Sequence, residues 1–179
     1  MELISLSTYL ALALKHGAVF AQPIPASSVI TAAWVRFKCQ FGCSNWDEGR
    51  MCPPRTPTPA QTQAVLDCYS RAIAFAWESP AELKARRAAR KRMHKAMFEL
   101  ERQAFLDGYY KTFAFVSGPC NLCADCDVDK PCKHPGDPRP AMEACGMDVF
   151  ATMANAGFGL EVRTCEDQGH YQCGLLLVE

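Results

Sequence analysis

The segment GPCNLCADCDVDKPCKHP, residues 118–135, holds four of the eleven cysteines of this 179-residue chain. Thiols packed this closely form disulfides, bind a structural zinc ion or hold an iron–sulfur cluster. A second group of three cysteines lies upstream in KCQFGCSNWDEGRMCPP, residues 38–54. Any fold proposed for the chain must place both groups and give their thiols a partner.

Of these three possibilities for the cysteine thiols, disulfide formation is the least favoured. A chain of 179 residues, 49% of them hydrophobic, is long enough to bury roughly two-thirds of its unfolded surface without covalent staples. The cysteine count is odd, and the cysteines are bunched rather than spread. Cysteines separated by two residues suit a metal, which needs several thiolates around one centre, better than long-range bridges. The pattern therefore predicts metal binding.

The charge balance excludes some partners. The formal net charge is zero, so no whole-protein field attracts nucleic acid or an anionic membrane. The run KARRAARKRMHK, residues 84–95, is a local exception, for which a solvated helix face is favoured over an anion-docking site. No segment approaches the ~20 apolar residues of a membrane span. We expect neither a nucleic-acid nor a membrane partner.

The N-terminal segment has some features of an export signal. Its centre is apolar, and Val19-Phe20-Ala21 resembles a cleavage site. However, Glu2 replaces the usual positive start, and Lys15 and His16 interrupt the apolar run. A helix that ends at Gly17 and leads into a strand explains the same residues. We therefore expect a cytoplasmic protein.

Hydrophobic periodicity predicts helices that alternate with strands. The predicted helices are one with Leu3, Leu6, Leu10 and Leu14 on one face, one from Thr58-Pro59 to about Cys68, one over 81–107, and one over 139–157 with Ala141, Cys145, Val149 and Met153 on one side. The predicted strands are AVFAQPI, RAIAFAWE, YYKTFAFVSG, GLEVRTC and QCGLLLVE. This order favours an α/β or α+β fold: a single domain over residues 1–179, with a mixed sheet of about five strands covered by helices. The two cysteine-rich metal loops are expected outside regular elements.

The spacing within the downstream group favours a [4Fe–4S] cluster over zinc. Cys120, Cys123 and Cys126 are separated by two residues each, as are three cluster ligands of bacterial ferredoxins, whereas a zinc ribbon provides two well-separated pairs. Cys132 follows after five intervening residues. It either closes the same cluster or reaches another one. His134 is favoured as a loop-packing or supporting residue over a ligand.

The upstream group is less regular. Cys39, Cys43 and Cys52 are predicted to hold a second [4Fe–4S] cluster, with one iron open to another ligand or to a substrate. The candidates for its fourth ligand are Cys68, Cys132 and Cys145. For Cys68 and Cys145, the favoured interpretation is a buried thiol on an apolar helix face. The chain contains no P-loop, nucleophile elbow or dinucleotide-binding motif.

A group of motifs resembles the predicted metal-binding family called domain of unknown function 2284. The resemblance covers nearly everything from residue 34 onwards and rests on Cys39, Cys43, Cys52-Pro53-Pro54, Glu101-Arg102, 108–111, Gly118-Pro119-Cys120, Cys123, Cys126, Cys132, His134-Pro135, Arg139-Pro140, Glu143 and Asp148. It implies metal binding, in particular iron–sulfur binding in prokaryotic anaerobic-type metabolism. It also implies that Arg102, Tyr109, Glu143 and Asp148 lie near the metal sites or hold the loops by ion pairs and helix-end hydrogen bonds.

These patterns lead to one main expectation and two alternatives. The main one is a protein with one or two [4Fe–4S] clusters that transfers electrons, with a redox partner protein, or serves a redox enzyme as an accessory subunit. The first alternative is a zinc-stabilised adaptor module without redox chemistry. The second is an enzyme that uses the open iron as a Lewis acid. It ranks below electron transfer because the sequence lacks a convincing acid–base pair. The sequence gives no catalytic residue and no oligomeric state.

Overall fold

The computed structural model describes residues 5–124, 126–165 and 167–179. The helices are α1 Ser7–Lys15, α2 Ala33–Gly42, α3 Pro59–Leu66, α4 Leu83–Leu106 and α5 Val149–Asn155. The strands are β1 Phe20–Pro25, β2 Arg71–Ser79, β3 Phe113–Phe115 and β4 His170–Leu177. Short 3-10 turns cover Ala26–Ser28 and Glu143–Cys145. Long connections that carry the cysteines separate α2 from α3 and β3 from α5.

The four strands form one open sheet in the order β1-β2-β4-β3, and every neighbouring pair is antiparallel. The predicted mixture of helices and strands is confirmed, but the prediction of a mixed sheet of about five strands is wrong. Within the described residues, 159–165 form no strand. The side chain of Val162 is 69% exposed, so the segment lacks the buried apolar face that stabilises a strand.

Helices and loops cover both faces of the sheet because the central strands are apolar on both sides. In β2, Ile73 and Phe75 pack with α1 and α4, whereas Ala74 and Ala76 face α3 and α5. Residues i and i+2 of a strand lie on the same face, which explains this division. Two separate apolar cores result, one on each side of the sheet.

Local end signals fix several helix boundaries as predicted. The Thr58 side chain accepts the N–H of Gln61 and the Gln61 side chain accepts the N–H of Thr58, a capping box at the start of α3. Gly17 and Gly108 follow α1 and α4 with φ values of 86° and 103°, a left-handed backbone that glycine adopts without strain. Leu3, which belongs to the predicted apolar face of α1, lies outside the described residues.

The helix predicted over 139–157 is interrupted at Gly146. The chain makes a 3-10 turn at Glu143–Cys145, takes φ = 77° at Gly146 and enters α5 only at Val149. A Cβ atom at position 146 would lie 2.4 Å from Pro59 Cγ. Glycine is therefore required by both the backbone conformation and the close approach of α3. The helical periodicity of this segment therefore predicts one continuous helix, whereas the contact between Gly146 and Pro59 interrupts it.

No helix within the described residues combines the length and the hydropathy that crossing a membrane requires.

Candidate metal centre

The downstream cysteine segment begins where β3 ends, and three contacts fix its first residues. Gly118 donates its N–H to Glu143 Oε1 at 3.0 Å. The Ser117 carbonyl lies 2.8 Å from Nε2 of His94 on α4. Gly118 has φ = 69°, and a Cβ atom there would lie 3.0 Å from Arg90 Nη1. The segment thus leaves the sheet between α4 and the 3-10 turn at Glu143–Cys145.

The four thiols of this segment surround one small hollow. Cys120, Cys123, Cys126 and Cys132 all line it, together with His134. Cys120 and Cys132 are partly buried, whereas Cys126 is exposed. Burial and the three neighbouring thiols raise the pKa of Cys120, although the N–H of Leu122 opposes this shift. Cys132 is therefore grouped with the three regularly spaced cysteines.

Arg50 joins the upstream segment to this hollow. Its Nη2 donates to the carbonyls of Asp127 at 3.2 Å and Val128 at 2.8 Å. Its Nε is buried and has no hydrogen-bond partner among the described residues. The guanidinium lines both the hollow of about 30 Å³ and an adjoining one of about 110 Å³, which share Cys123, Cys126 and Cys132. A fixed cation thus lies beside the four thiols.

Two of the three upstream cysteines lie at the end of a helix rather than in a loop. Cys39 is within α2 and Cys43 is its C-cap residue, so the prediction that both cysteine groups lie outside regular elements is wrong. Residues four apart share a helix face, and this spacing places both thiols on one side of α2. Asn45 Nδ2 donates to Cys43 Sγ at 3.7 Å.

Cys52, the third upstream cysteine, is buried, with 7% of its surface exposed. Burial raises the pKa of its thiol to about 11, and the nearby thiols of Cys43 and Cys39 add to the effect. Glu143 and Cys120 contribute further in the same direction. The pKa of the Cys52 thiol thus responds to the charge of the other two upstream thiols and of the first cysteine of the downstream group.

Arg36 fixes the upstream segment against the rest of the fold. From α2, its guanidinium donates to the Ala144 carbonyl at 2.9 Å, the Pro57 carbonyl at 3.0 Å and Thr56 Oγ1 at 3.1 Å. The Thr56 hydroxyl in turn donates to the Ala144 carbonyl at 2.6 Å. The chain that carries Cys52 is thereby tied at both ends to the 3-10 turn at Glu143–Cys145.

Glu143 lies between the two cysteine groups. Its carboxylate accepts the N–H of Gly118, and its carbonyl is 3.9 Å from the Cys39 thiol, which donates to it. The side chain has some access to a cavity but is otherwise enclosed by protein, and this burial raises the pKa of its carboxyl group. Its contacts hold the start of the downstream segment beside α2.

A cavity of about 740 Å³ opens beside the upstream group. One wall carries Cys39, Cys43 and Glu143. Aromatic side chains that are 47%, 45% and 41% exposed lie around the rest: Trp34, Phe150 and Tyr171. This volume falls within the range of small-molecule sites, roughly 300–1,000 Å³. The upstream thiols therefore face a space large enough for a ligand.

Several residues named by sequence reasoning have structural roles. Asp148 caps α5 by accepting the N–H of Ala151 at 3.0 Å, and the buried Tyr109 packs edge-on against Tyr9 with ring centroids 6.0 Å apart. Cys145 is fully buried, as predicted, but Cys68 is exposed, contrary to the prediction. Neither residue lines a hollow with the predicted ligands. Arg36 and Arg50 were missed, although a cation inside a cysteine segment was a visible signal for Arg50.

The cysteines supply the donor type that a metal centre requires. All eleven cysteines are free thiols. No three side chains of His, Cys, Asp or Glu within the described ranges converge closely enough to hold a single ion. The four downstream thiols nevertheless line one hollow. Thiolates are ligands both of zinc ions and of iron–sulfur clusters, so this donor set is compatible with either metal group.

The fold and the two thiol groups define a cysteine-rich α/β protein with a candidate metal centre. The profile of the DUF2284 family, described as a predicted metal-binding protein, matches residues 22–178. The chain therefore belongs to this family, and the resemblance found in its motifs is confirmed. No curated protein and no solved structure matches it.

Proposed function

We propose that this chain is a cytoplasmic iron–sulfur protein that transfers electrons, alone or as an accessory subunit of a redox enzyme. Cys120, Cys123, Cys126 and Cys132 would hold one [4Fe–4S] cluster, which supplies one-electron chemistry when bound. The observation that carries the proposal is that these four thiols, three of which have the spacing of cluster ligands, line one hollow. The remaining predicted ligands, Cys39, Cys43 and Cys52, would hold a second cluster.

The chain's own residues prepare the first site. Leu122 donates its backbone N–H to the Cys120 thiol at the start of the loop, and Arg50 places a cation beside the thiols. Cations and N–H donors near a cluster favour its reduced, more negative form. Cys126 is exposed, so the cluster edge would be accessible to a partner. These features suit electron exchange better than a purely structural metal.

Anaerobic purification followed by iron, acid-labile sulfide and zinc analysis tests the proposal. We expect about four irons and four sulfides for each occupied site, with no stoichiometric zinc. Cys39→Ala should remove one cluster and leave the other. Stoichiometric zinc without sulfide would instead support a zinc-stabilised adaptor. A single cubane that Cys39→Ala does not affect would remove the upstream site from the proposal.

The cavity favours a second candidate function for the upstream group. Three thiolates leave one coordination position of a [4Fe–4S] cluster for another ligand, and Cys39 and Cys43 line the 740 Å³ cavity. An exposed iron acts as a Lewis acid toward a bound substrate. Imidazole is a suitable probe: its addition should change the electron paramagnetic resonance spectrum of the reduced wild type. An unchanged spectrum in a protein with both clusters would exclude an open coordination position.

A further inference from the structure

The first half of α4 carries an unusual density of positive charge. Residues 84–95 include seven lysines and arginines and no acidic residue. Ala89 and Met93 direct one side of this segment into the core, so the cations occupy the rest of the surface. At 1.5 Å per residue, the charged stretch is about 17 Å long.

Little of this charge is neutralised within the protein. Lys95 lies 3.7 Å from Glu99, which also approaches His16 at 3.3 Å. Lys91 and Arg92 are exposed and form no ion pair with any described residue. Like charges four residues apart destabilise a helix by about 0.2–0.5 kcal/mol per pair. Arg87 and Lys91, and Lys91 and Lys95, are such pairs. These repulsions lower the stability of α4, and a bound partner of opposite charge would relieve them.

This charge lies next to the downstream cysteine segment. Lys91, Arg92 and Lys95, which we call the basic face, line one side of a cavity of about 420 Å³. Cys120 and Leu122 of the cysteine segment line the same cavity. A molecule bound across this cavity would contact the basic face and a predicted cluster ligand at once.

The composition of the cavity fits a protein partner. The lining also includes the apolar side chains of Phe98, Val116 and Pro138, with Asp137 as the acidic residue. An apolar centre with a charged rim is the usual anatomy of a protein–protein interface. Nucleic acid is disfavoured, because the net charge of zero leaves no extended positive field to attract a polyanion.

We propose that the basic face and the adjoining cavity dock an acidic electron-carrier protein, such as a ferredoxin, beside Cys120. This inference rests on the proposed iron–sulfur function. One electron would leave the reduced cofactor of the carrier and enter the cluster proposed at the downstream cysteines. The carrier is oxidised by one electron and the cluster is reduced by one. No covalent bond forms or breaks, and no proton is exchanged.

Binding of an acidic plant-type [2Fe–2S] ferredoxin tests the proposal. Its affinity for the anaerobically reconstituted protein is measured by calorimetry at several salt concentrations. The wild type should bind the carrier most tightly at low ionic strength and lose affinity as salt is added. The double variant Lys91→Glu, Arg92→Glu should bind at least about tenfold more weakly, because like charges then face each other across the interface.

A matched control lies on the same helix. Lys84 and Arg87 are exposed and do not line the cavity. The variant Lys84→Glu, Arg87→Glu changes the net charge by the same amount and should retain affinity within about threefold. Circular dichroism and iron content establish that both variants fold and carry the cluster.

Three results would overturn the docking proposal. One is absence of binding by a wild type with full iron and sulfide content, and another is an equal loss of affinity in both variants. The third is tighter binding to duplex DNA than to the ferredoxin under the same conditions. A protein that assembles no cluster under any condition would instead refute the proposed function, so the iron and sulfide analysis separates the two failures.

Discussion

Arg139 forms a two-point ion pair with Glu101, donating from Nε to Oε2 at 2.6 Å and from Nη2 to Oε1. Glu101 Oε2 also accepts the N–H of Ala114 at 2.7 Å. The pair therefore connects α4 to β3 and to the chain that returns from the cysteine segment. Both side chains are largely buried, at 11% and 16% exposure. Removing one partner leaves a buried charge without compensation.

Glu101→Gln should therefore lower the free energy of unfolding by about 3 kcal/mol, the usual loss when one member of a buried pair is removed. Denaturant titration of the metal-free protein measures this. Lys95→Gln is the control, because Lys95 is 79% exposed in its pair with Glu99. It should cost less than about 1 kcal/mol. Equal losses in the two variants would show that the Glu101–Arg139 pair has no special structural role.

Arg50→Met should lower the reduction potential of the downstream cluster, because it removes a cation and a buried N–H donor that favour the reduced form. Arg50→Lys should give an intermediate potential, since it keeps the charge and loses the Nε–H group. Arg55→Met is the control, because Arg55 donates to the carbonyl of Asp47 at 2.9 Å and does not line the hollow. A redox titration followed by electron paramagnetic resonance provides the measurement. An identical shift in Arg50→Met and Arg55→Met would contradict the assignment.

Cys132→Ala should reduce iron and sulfide per chain, because Cys132 lines the same hollow as the three regularly spaced cysteines. Cys165→Ala should retain the wild-type content, since Cys165 is exposed and lines none of the hollows around these thiols. Chemical analysis of both variants, purified anaerobically side by side, decides between these expectations. Full iron and sulfide in Cys132→Ala would remove Cys132 from the ligand set.

His94 should make the metal-free protein less stable in mild acid. Burial lowers the pKa of its ring below the ordinary 6.5, and nearby Arg90 acts in the same direction, whereas the hydrogen bond to Ser117 opposes both. The unfolded chain therefore binds more protons than the folded one between the lowered pKa and 6.5. Stability rises with pH through that window and is lost as pH falls through it.

His94→Gln removes this titration and keeps a side-chain amide for the Ser117 carbonyl. Its free energy of unfolding should consequently vary less between about pH 7 and pH 5 than that of the wild type. Thermal or denaturant unfolding at a series of pH values provides the comparison. Parallel pH profiles for the two proteins would rule out His94 as the source of the acid sensitivity.

Local signals in the sequence were sufficient for much of the fold. Thr58 and Pro59 start α3, and Gly17 and Gly108 follow helices, because caps and left-handed residues act over a few positions. The break at Gly146 was missed because it depends on Pro59, which is 87 residues away in the chain. The residues 159–165 were predicted to form a strand from a short apolar pattern, yet they line a cavity instead of pairing.

For the candidate site, too, the sequence predicts the local features but not the contacts between distant segments. Spacing alone groups Cys120, Cys123 and Cys126, since ligand geometry limits the number of residues between thiols. It leaves two positions for Cys132, either in the same cluster or in another one. Spacing could not place Cys39 on a helix, because the length of α2 depends on how it packs. The approach of Arg50 to the backbone of Asp127 and Val128 spans more than 70 positions. Only the tertiary fold brings those groups together.

The two apolar cores on either face of the sheet contain none of the seven predicted ligand cysteines. We therefore expect the sheet and the helices that pack on it to fold without metal, unlike a zinc finger, which is unfolded without its ion. We expect the newly made chain to reach its final architecture first and to receive iron and sulfide afterwards. If the proposed clusters are present, maturation would depend on delivery of iron and sulfide to a preformed protein, and an iron-starved cell would accumulate a folded pool without clusters.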